Sequence, residues 1–326
     1  MKLRRLVMWL LRCLLGVVAV SHSLSFNVET RRSLLRPWHQ NDDGTILGWC
    51  EEQKLVEDDI LKVSVGLNAP KREKDNNQDI LHISLPCSQD GGSLSSSLWP
   101  SGIAASILLW SPSFRSIAKN KKVLELGSGL GISGMVAAAE SASCILTDND
   151  EEAISRLNTV LERNCNDRLK AKLSTRELDW RDSHTEESPV NIVVGSDIAY
   201  YFHLLRPIMD TTKSFLEKKD SLFVAVGQAD RESQWNLYHN LRDGCYNQLT
   251  DENEPPWAGK TYTLLYKLEM SRWCAAPEDV EKPENCEGVI QIAVLVHQTE
   301  GMGIELFTSQ DHVATREDDD SILRSF

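Results

Sequence analysis

The sequence predicts an α/β fold: a doubly wound, mostly parallel seven-stranded sheet carrying an N-terminal β-hairpin extension. Three observations predict it. Short β-branched runs alternate with amphipathic helical stretches from Lys122 onward. The first of these strands feeds a glycine turn that opens a helix, and the next strand ends in a carboxylate, Asp148.

Residues 1–25 read as a signal-like leader. Lys2, Arg4 and Arg5 precede the apolar run Leu6–Val20, which Arg12 interrupts, and small or polar residues follow at Ala19–Ser25. The run is shorter than the ~20 residues that cross a bilayer, so no stable membrane span is expected after leader removal. Residues 26–45 read as a basic, polar linker whose stretch through Arg31, Arg32 and Arg36 contains one acid, Glu29. A leader followed by such a segment resembles the two-part plastid presequences of some algae. Secretory-pathway or plastid routing is therefore expected, and the alternatives are an uncleaved anchor, a mis-assigned start or a cytoplasmic protein.

Residues 46–97 carry the hairpin extension. Ile60–Val65 and Ile80–Leu85 are β-branched runs separated by the charged, turn-forming segment Asn68–Asp79, and a Gly/Ser loop covers Cys87–Ser97. The main domain is expected over 98–300. Ser101–Trp110 is an apolar helical stretch behind Trp99 and Pro100. Lys122–Leu126, Cys144–Thr147, Leu173–Leu178, Asn191–Gly195 and Leu222–Gly227 are strands. Helices are expected at Gly131–Glu140, Glu151–Asn164, about Leu204 to Leu216, and Trp235–Leu241. Tyr262–Leu268 and Val289–His297 are the closing strands, and 301–326 is an acidic tail.

Composition narrows the function. Hydrophobic residues are 41% and charged residues 25% of 326, which excludes a fibrous or wholly disordered chain. A net charge of −13 disfavours unaided nucleic-acid binding and suits a basic or lysine-containing protein partner. The eight cysteines form no CxxC pair and have no histidine at zinc spacing, so neither a metal nor a disulfide framework is expected.

The most informative stretch is Val123-Leu-Glu-Leu-Gly-Ser-Gly-Leu-Gly-Ile-Ser-Gly134. A dinucleotide turn would want glycine where Ile132 stands, and a phosphate-binding Walker loop would want a lysine that is missing. Glu125 would repel a pyrophosphate but could bind a cationic ligand group. Asp148, ending the next strand, can accept from both hydroxyls of a ribose. A ligand with a ribose, a cationic end and no phosphate matches S-adenosyl-L-methionine.

From about Leu98 to Gly244 the chain resembles the seven-β-strand protein methyltransferases of methyltransferase family 16, the lysine-methyltransferase-like group. The matching pieces are Leu98-Trp-Pro-Ser-Gly-Ile-Ala104, the glycine motif, Thr147-Asp148, Leu178-Asp-Trp180 and Gly195-Ser-Asp-Ile-Ala-Tyr200. The resemblance implies that Trp99 flanks the cofactor, Gly127, Ser128 and Gly129 line its methionine end, and Asp148 holds its ribose. Asp179 and Trp180 would contact the adenine region, and Ser196 the sulfonium side. The bland counterparts are core packing for the two tryptophans and a turn for Asp179.

Asp197 and Tyr200 follow the fourth strand at the edge where such sheets bind ligands. Asp197 is expected to orient the target amine, and Tyr200 to offer a ring face to an ammonium. The alternative is that Asp197 caps a helix and Tyr200 is packing. Arg231 is expected as a substrate-side or ion-pair residue, or a plain surface arginine. The expected activity is methyl transfer to a protein nitrogen, lysine first, with histidine and arginine left open. A small-molecule methyltransferase and a non-catalytic cofactor-binding protein are the alternatives.

Overall fold

The computed structural model describes residues 28–300, except 39–45, 56–59, 68–79, 87–93, 165–169, 183–187, 248–251 and parts of 276–284. The leader at 1–25, the charged loop at 68–79 and the acidic tail at 301–326 lie outside the described residues.

Four strands come first: β1 (Val28–Pro37), β2 (Gly48–Leu55), β3 (Ile60–Leu67) and β4 (Ile80–Pro86). They pair antiparallel in chain order. Two helices follow, α1 (Pro100–Trp110) and α2 (Pro112–Ala118). The winding unit then runs β5 (Lys122–Leu126), α3 (Ile132–Ala138), β6 (Ser143–Asp148), α4 (Glu151–Asn164), β7 (Leu173–Glu177) and β8 (Ile192–Ser196). It continues with α5 (Phe202–Phe215), β9 (Leu222–Gln228) and α6 (Glu232–Asp243). A short ribbon of β10 (Cys245–Asn247) and β11 (Glu252–Glu254) precedes the long strands β12 (Lys260–Ser271) and β13 (Cys286–Gln298).

The main sheet has the order β4-β3-β2-β1-β12-β13-β9-β8-β5-β6-β7. The seven strands expected from the sequence lie together as β12-β13-β9-β8-β5-β6-β7, with parallel pairing confined to β9-β8-β5-β6-β7. Two expectations are corrected. The sheet is mixed and eleven-stranded, because β1 pairs antiparallel with β12 and carries the other N-terminal strands with it. The extension is a four-stranded meander in which the expected hairpin is β3 and β4, and half of the expected linker at 26–45 is strand β1.

The arginines that looked like a presequence explain the second correction. Arg31 faces Glu52 and Arg32 faces Glu51 across the β1–β2 ladder. Both pairs close at 2.7 Å, and Arg36 reaches Glu269 on β12 at 2.9 Å. Beside them β1 buries two small polar residues, Thr30 and Ser33, and one aliphatic, Leu35, rather than an apolar row. The strand therefore lacks the alternation that marks strands in a sequence.

Helices cover both faces of the sheet. Alternate strand residues divide between two cores: Val123, Ile192 and Val224 pack with α1, α3, α4 and the meander. Leu124, Val193 and Phe223 pack with α5 and α6. Helix α1 is buried from Ser101 to Trp110, lying against β2, β3, β9 and α3. Each of its fully buried aliphatics, such as Ile103 and Ile107, contributes roughly 1.5–3 kcal/mol. The far edge strand β4 reaches α4, where Ser84 N donates to Asn164 Oδ1 and Asn164 Nδ2 donates to Ser84 O, both at 2.6 Å. The N-terminal strands are thus joined to the winding unit at β12 and again at α4.

Glu52 is 1% exposed and its carboxylate takes two hydrogen bonds from Arg31, at 2.8 and 2.7 Å. Removing the arginine leaves a buried charge without its partner. Arg31→Ala is expected to lower unfolding free energy in urea by about 3 kcal/mol, whereas Arg31→Leu with Glu52→Leu costs under about 1 kcal/mol.

Candidate functional site

The chain winds outward from β5 in both directions, to β6 and β7 on one side and to β8 and β9 on the other. At such a switch point the loops leaving adjacent strands part and open a crevice at the carboxyl edge of the sheet. A cleft of about 700 Å³ lies there. That volume is within the ordinary range for a small-molecule site.

The glycine turn forms one wall. Gly127, Gly129 and Gly131 have φ of 60°, 52° and 75°, a left-handed conformation that side chains strain. A Cβ on Gly127 would also stand 3.1 Å from the Trp180 ring. The turn is tied to the end of β6: Ser128 N donates to Thr147 O at 2.7 Å, and Thr147 N donates to Ser128 Oγ at 2.9 Å. The next residue, Asp148, lines the cleft and accepts from Gly129 N at 3.0 Å and Asp150 N at 3.2 Å. Burial pushes its pKa up against those two donors. Each oxygen keeps a lone pair for a ligand hydroxyl.

Trp180 and Trp99 line the same cleft. The Trp180 indole Nε1 is buried with no hydrogen-bond partner among the described residues, while Trp99 Nε1 donates to Leu94 O at 3.0 Å. Asp179 is also in the lining, but Arg181 engages its carboxylate through three guanidinium hydrogen bonds and one from its backbone N–H. Ser196 ends β8 and accepts from Ser133 Oγ at 3.4 Å.

Beyond Ser196 the lining turns acidic and aromatic. Asp197 has φ of 60°, and its N–H donates to Val226 O at 2.7 Å, joining the ends of β8 and β9. Its side chain is 10% exposed and meets Arg231 at 3.1 Å. Burial raises its pKa and the guanidinium opposes the rise; Ser101 and Asp230 also act on it. Helix α5 begins only at Phe202, with Tyr201 as its N-cap, so Asp197 is not that helix's cap. Tyr200 stands at the mouth, its ring 4.8 Å from that of Tyr201.

Ten of the eleven site residues expected from the sequence therefore line one cleft: Trp99, Gly127, Ser128, Gly129, Asp148, Asp179, Trp180, Ser196, Asp197 and Tyr200. Glu125 does not. It is 1% exposed and lies beneath the turn, its Oε2 close to where a Cβ on Gly134 would stand. A strand alternates its faces, and the sequence alone did not show that Glu125 points under the turn rather than out of it. Of two further contributors, one had no signal in the sequence and the other was left open. Ser95 lines the cleft from a short turn at Leu94–Ser96 and donates to Asp150 at 3.0 Å, in a Gly/Ser loop with no periodic signal. Arg231, left open between three roles, is the ion-pair partner of Asp197.

A left-handed glycine turn, a buried carboxylate on the neighbouring strand end and an aromatic wall define a nucleoside-type cleft in a doubly wound α/β protein. The chain belongs to the lysine methyltransferase family, whose profile matches residues 76–242, just over half of its length. It is 24% identical to calmodulin-lysine N-methyltransferase of Arabidopsis thaliana over 46% of this chain and 51% of that one. It is 27% identical to protein N-lysine methyltransferase METTL21A of Xenopus tropicalis over 41% and 64%. It is 24% identical to histone-arginine methyltransferase METTL23 of Xenopus laevis over 43% and 59%. The chain spans between half and two thirds of the length of these curated relatives.

Glu125 yields a test of the buried charge under the turn. Burial lifts its pKa from 4.5 to about 7, against opposing hydrogen bonds from Ser128, Gly134 and Ser133. The folded state then holds a proton that the unfolded state has lost, so this contribution to stability is full below pH 4.5 and falls away as pH rises through about 7. Glu125→Gln is expected to flatten that fall and to be more stable than the parent at pH 8 by roughly 2–3 kcal/mol in urea unfolding.

Proposed function

We propose that this chain is an S-adenosyl-L-methionine-dependent N-methyltransferase that modifies a protein, with a lysine side chain as acceptor. One observation carries the reading. A nucleoside-type wall and an acidic, aromatic wall belong to a single cleft and join at the adjacent residues Ser196 and Asp197. The names of two relatives as protein-lysine methyltransferases, and the family itself, support it.

The residues present fit the cofactor. Asp148 has lone pairs for the ribose hydroxyls, and the unpartnered Trp180 Nε1 is a buried donor that a ligand can satisfy. The side-chain-free surface of Gly127 and Gly129 gives close backbone approach at the methionine end, with Ser128 and Trp99 beside it. Ser196 lies toward the acceptor side. When bound, the cofactor supplies an electrophilic methyl group on a sulfonium.

The chain's own contribution is positioning. A lysine arrives as an ammonium and must lose a proton before its nitrogen has a free electron pair. Asp197, almost fully buried, pairs with that ammonium in its carboxylate form, orients it and eases loss of its proton to solvent. Tyr200 presents an aromatic face to the cationic head. Arg231 opposes the burial that raises the Asp197 pKa and so favours the charged form that can receive a cation. Holding the nitrogen in line with the methyl group accounts for most of the rate.

Calorimetry on the full chain tests the cofactor half. Micromolar binding of S-adenosylmethionine and S-adenosylhomocysteine is expected, weakened about 10- to 100-fold by Asp148→Ala and little changed by Asp197→Ala. A folded chain that binds neither compound overturns the reading. The Arg231 role predicts a pH effect on methylation of a lysine peptide. Removing the guanidinium raises the Asp197 pKa, so Arg231→Gln moves the acid limb of the kcat/KM profile to higher pH, and Arg231→Lys restores it in part.

A further inference from the structure

Among the described residues, seven large hydrophobic side chains are exposed, and they are not scattered. Leu94, Trp99, Tyr200 and Tyr201 line the cleft, and Phe202 follows Tyr201 at the start of α5. Only Trp273 and Val289 lie elsewhere in the sequence. Tyr201 and Phe202 are the outermost aromatics of the set, at 54% and 55% exposure, against 37% for Tyr200. Tyr201 is also braced. The Tyr201 ring is 4.8 Å from Tyr200 on one side and stacks on His203 at 5.4 Å on the other. A concentrated, preorganised apolar rim beside a ligand cleft marks a surface that another molecule covers.

We propose that Tyr201 and Phe202 form a docking lip for the polypeptide that carries the acceptor, so that this chain selects lysines flanked by bulky apolar residues. The proposal rests on the lysine reading above. The occupant follows from charge and from reach. Four carboxylates line the cleft (Asp148, Asp150, Asp179 and Asp197) against the cations Arg181 and Arg231, so the group that enters is a cation. Two half-exposed rings, Tyr201 in the cleft lining and Phe202 next to it in the chain, then need cover from something continuous with that cation but larger than a single side chain. A protein segment with a lysine in the cleft and an aliphatic or aromatic neighbour on the lip meets both requirements. A nucleic acid does not, because its phosphates would face the carboxylates.

Tyr201→Ser with Phe202→Ser tests the lip without threatening the fold. Tyr201 is the N-cap of α5 and makes no side-chain capping bond, whereas serine at that position can make one. The full chain and the double variant are compared on a lysine-centred peptide library whose flanking positions carry leucine and phenylalanine or serine and glutamate. The parent is expected to methylate apolar-flanked peptides about tenfold faster in kcat/KM. The variant loses that preference through KM, with cofactor affinity by calorimetry unchanged, and Tyr201→Phe keeps it. Equal rates on both peptide sets by the parent, or an undiminished preference in the double variant, overturn the lip. Methylation of no peptide by a parent chain that binds the cofactor overturns the lysine reading, and the lip with it.

Discussion

The site depends on one topological constraint: the chain reverses its direction of winding at β5, so the ends of β5, β6 and β8 stand side by side with nothing between them. A crevice at that edge follows from the strand order, whatever the side chains. The sequence then furnishes each strand end with a different group. β5 gives a glycine turn, β6 a carboxylate at Asp148, and β8 the pair Ser196 and Asp197. Hydrogen bonds between Ser128 and Thr147 hold the first two ends as one piece, and the Asp197 N–H ties the third to β9. The cleft is therefore shaped by backbone contacts before any ligand arrives.

Charge is arranged around that cleft by depth. Glu125 lies under the turn, where burial favours the protonated acid near neutrality. Asp148 sits at the surface of the turn with two backbone donors, and Asp197 faces Arg231 across the other half. The three carboxylates come from the carboxyl ends of three adjacent strands, β5, β6 and β8, but have different partners. Those partners decide which can accept a neutral hydroxyl and which can hold a cation.

The winding unit was legible because its signals are local. Four of the five parallel strands carry a short apolar run, β7 (LSTRE) being the exception, and the glycine motif, Asp148, Asp197 and Tyr200 sit at fixed offsets from strand ends. The meander was only half legible. β3 and β4 carry Val, Ile and Leu at alternate positions, but β1 buries Thr30 and Ser33 and shows three arginines. What makes β1 a strand is its pairing with Glu51 and Glu52 on one side and β12 on the other, more than two hundred residues away. Such pairing leaves no mark in a window of a dozen residues. Arg231 was ambiguous for the same reason, since its partner lies on a different strand end. The inward turn of Glu125 depended on which face of β5 it occupies.

The central claim is that one cleft holds the cofactor against Asp148 and delivers the acceptor past Asp197. A crystal structure of the full chain with S-adenosylhomocysteine tests it most directly. The account predicts the ribose on the Asp148 carboxylate, the base beside Trp180 and the sulfur toward Ser196, with Asp197 open to an entering amine. A ligand bound elsewhere, or bound here with its sulfur turned away from Ser196 and Asp197, would contradict it.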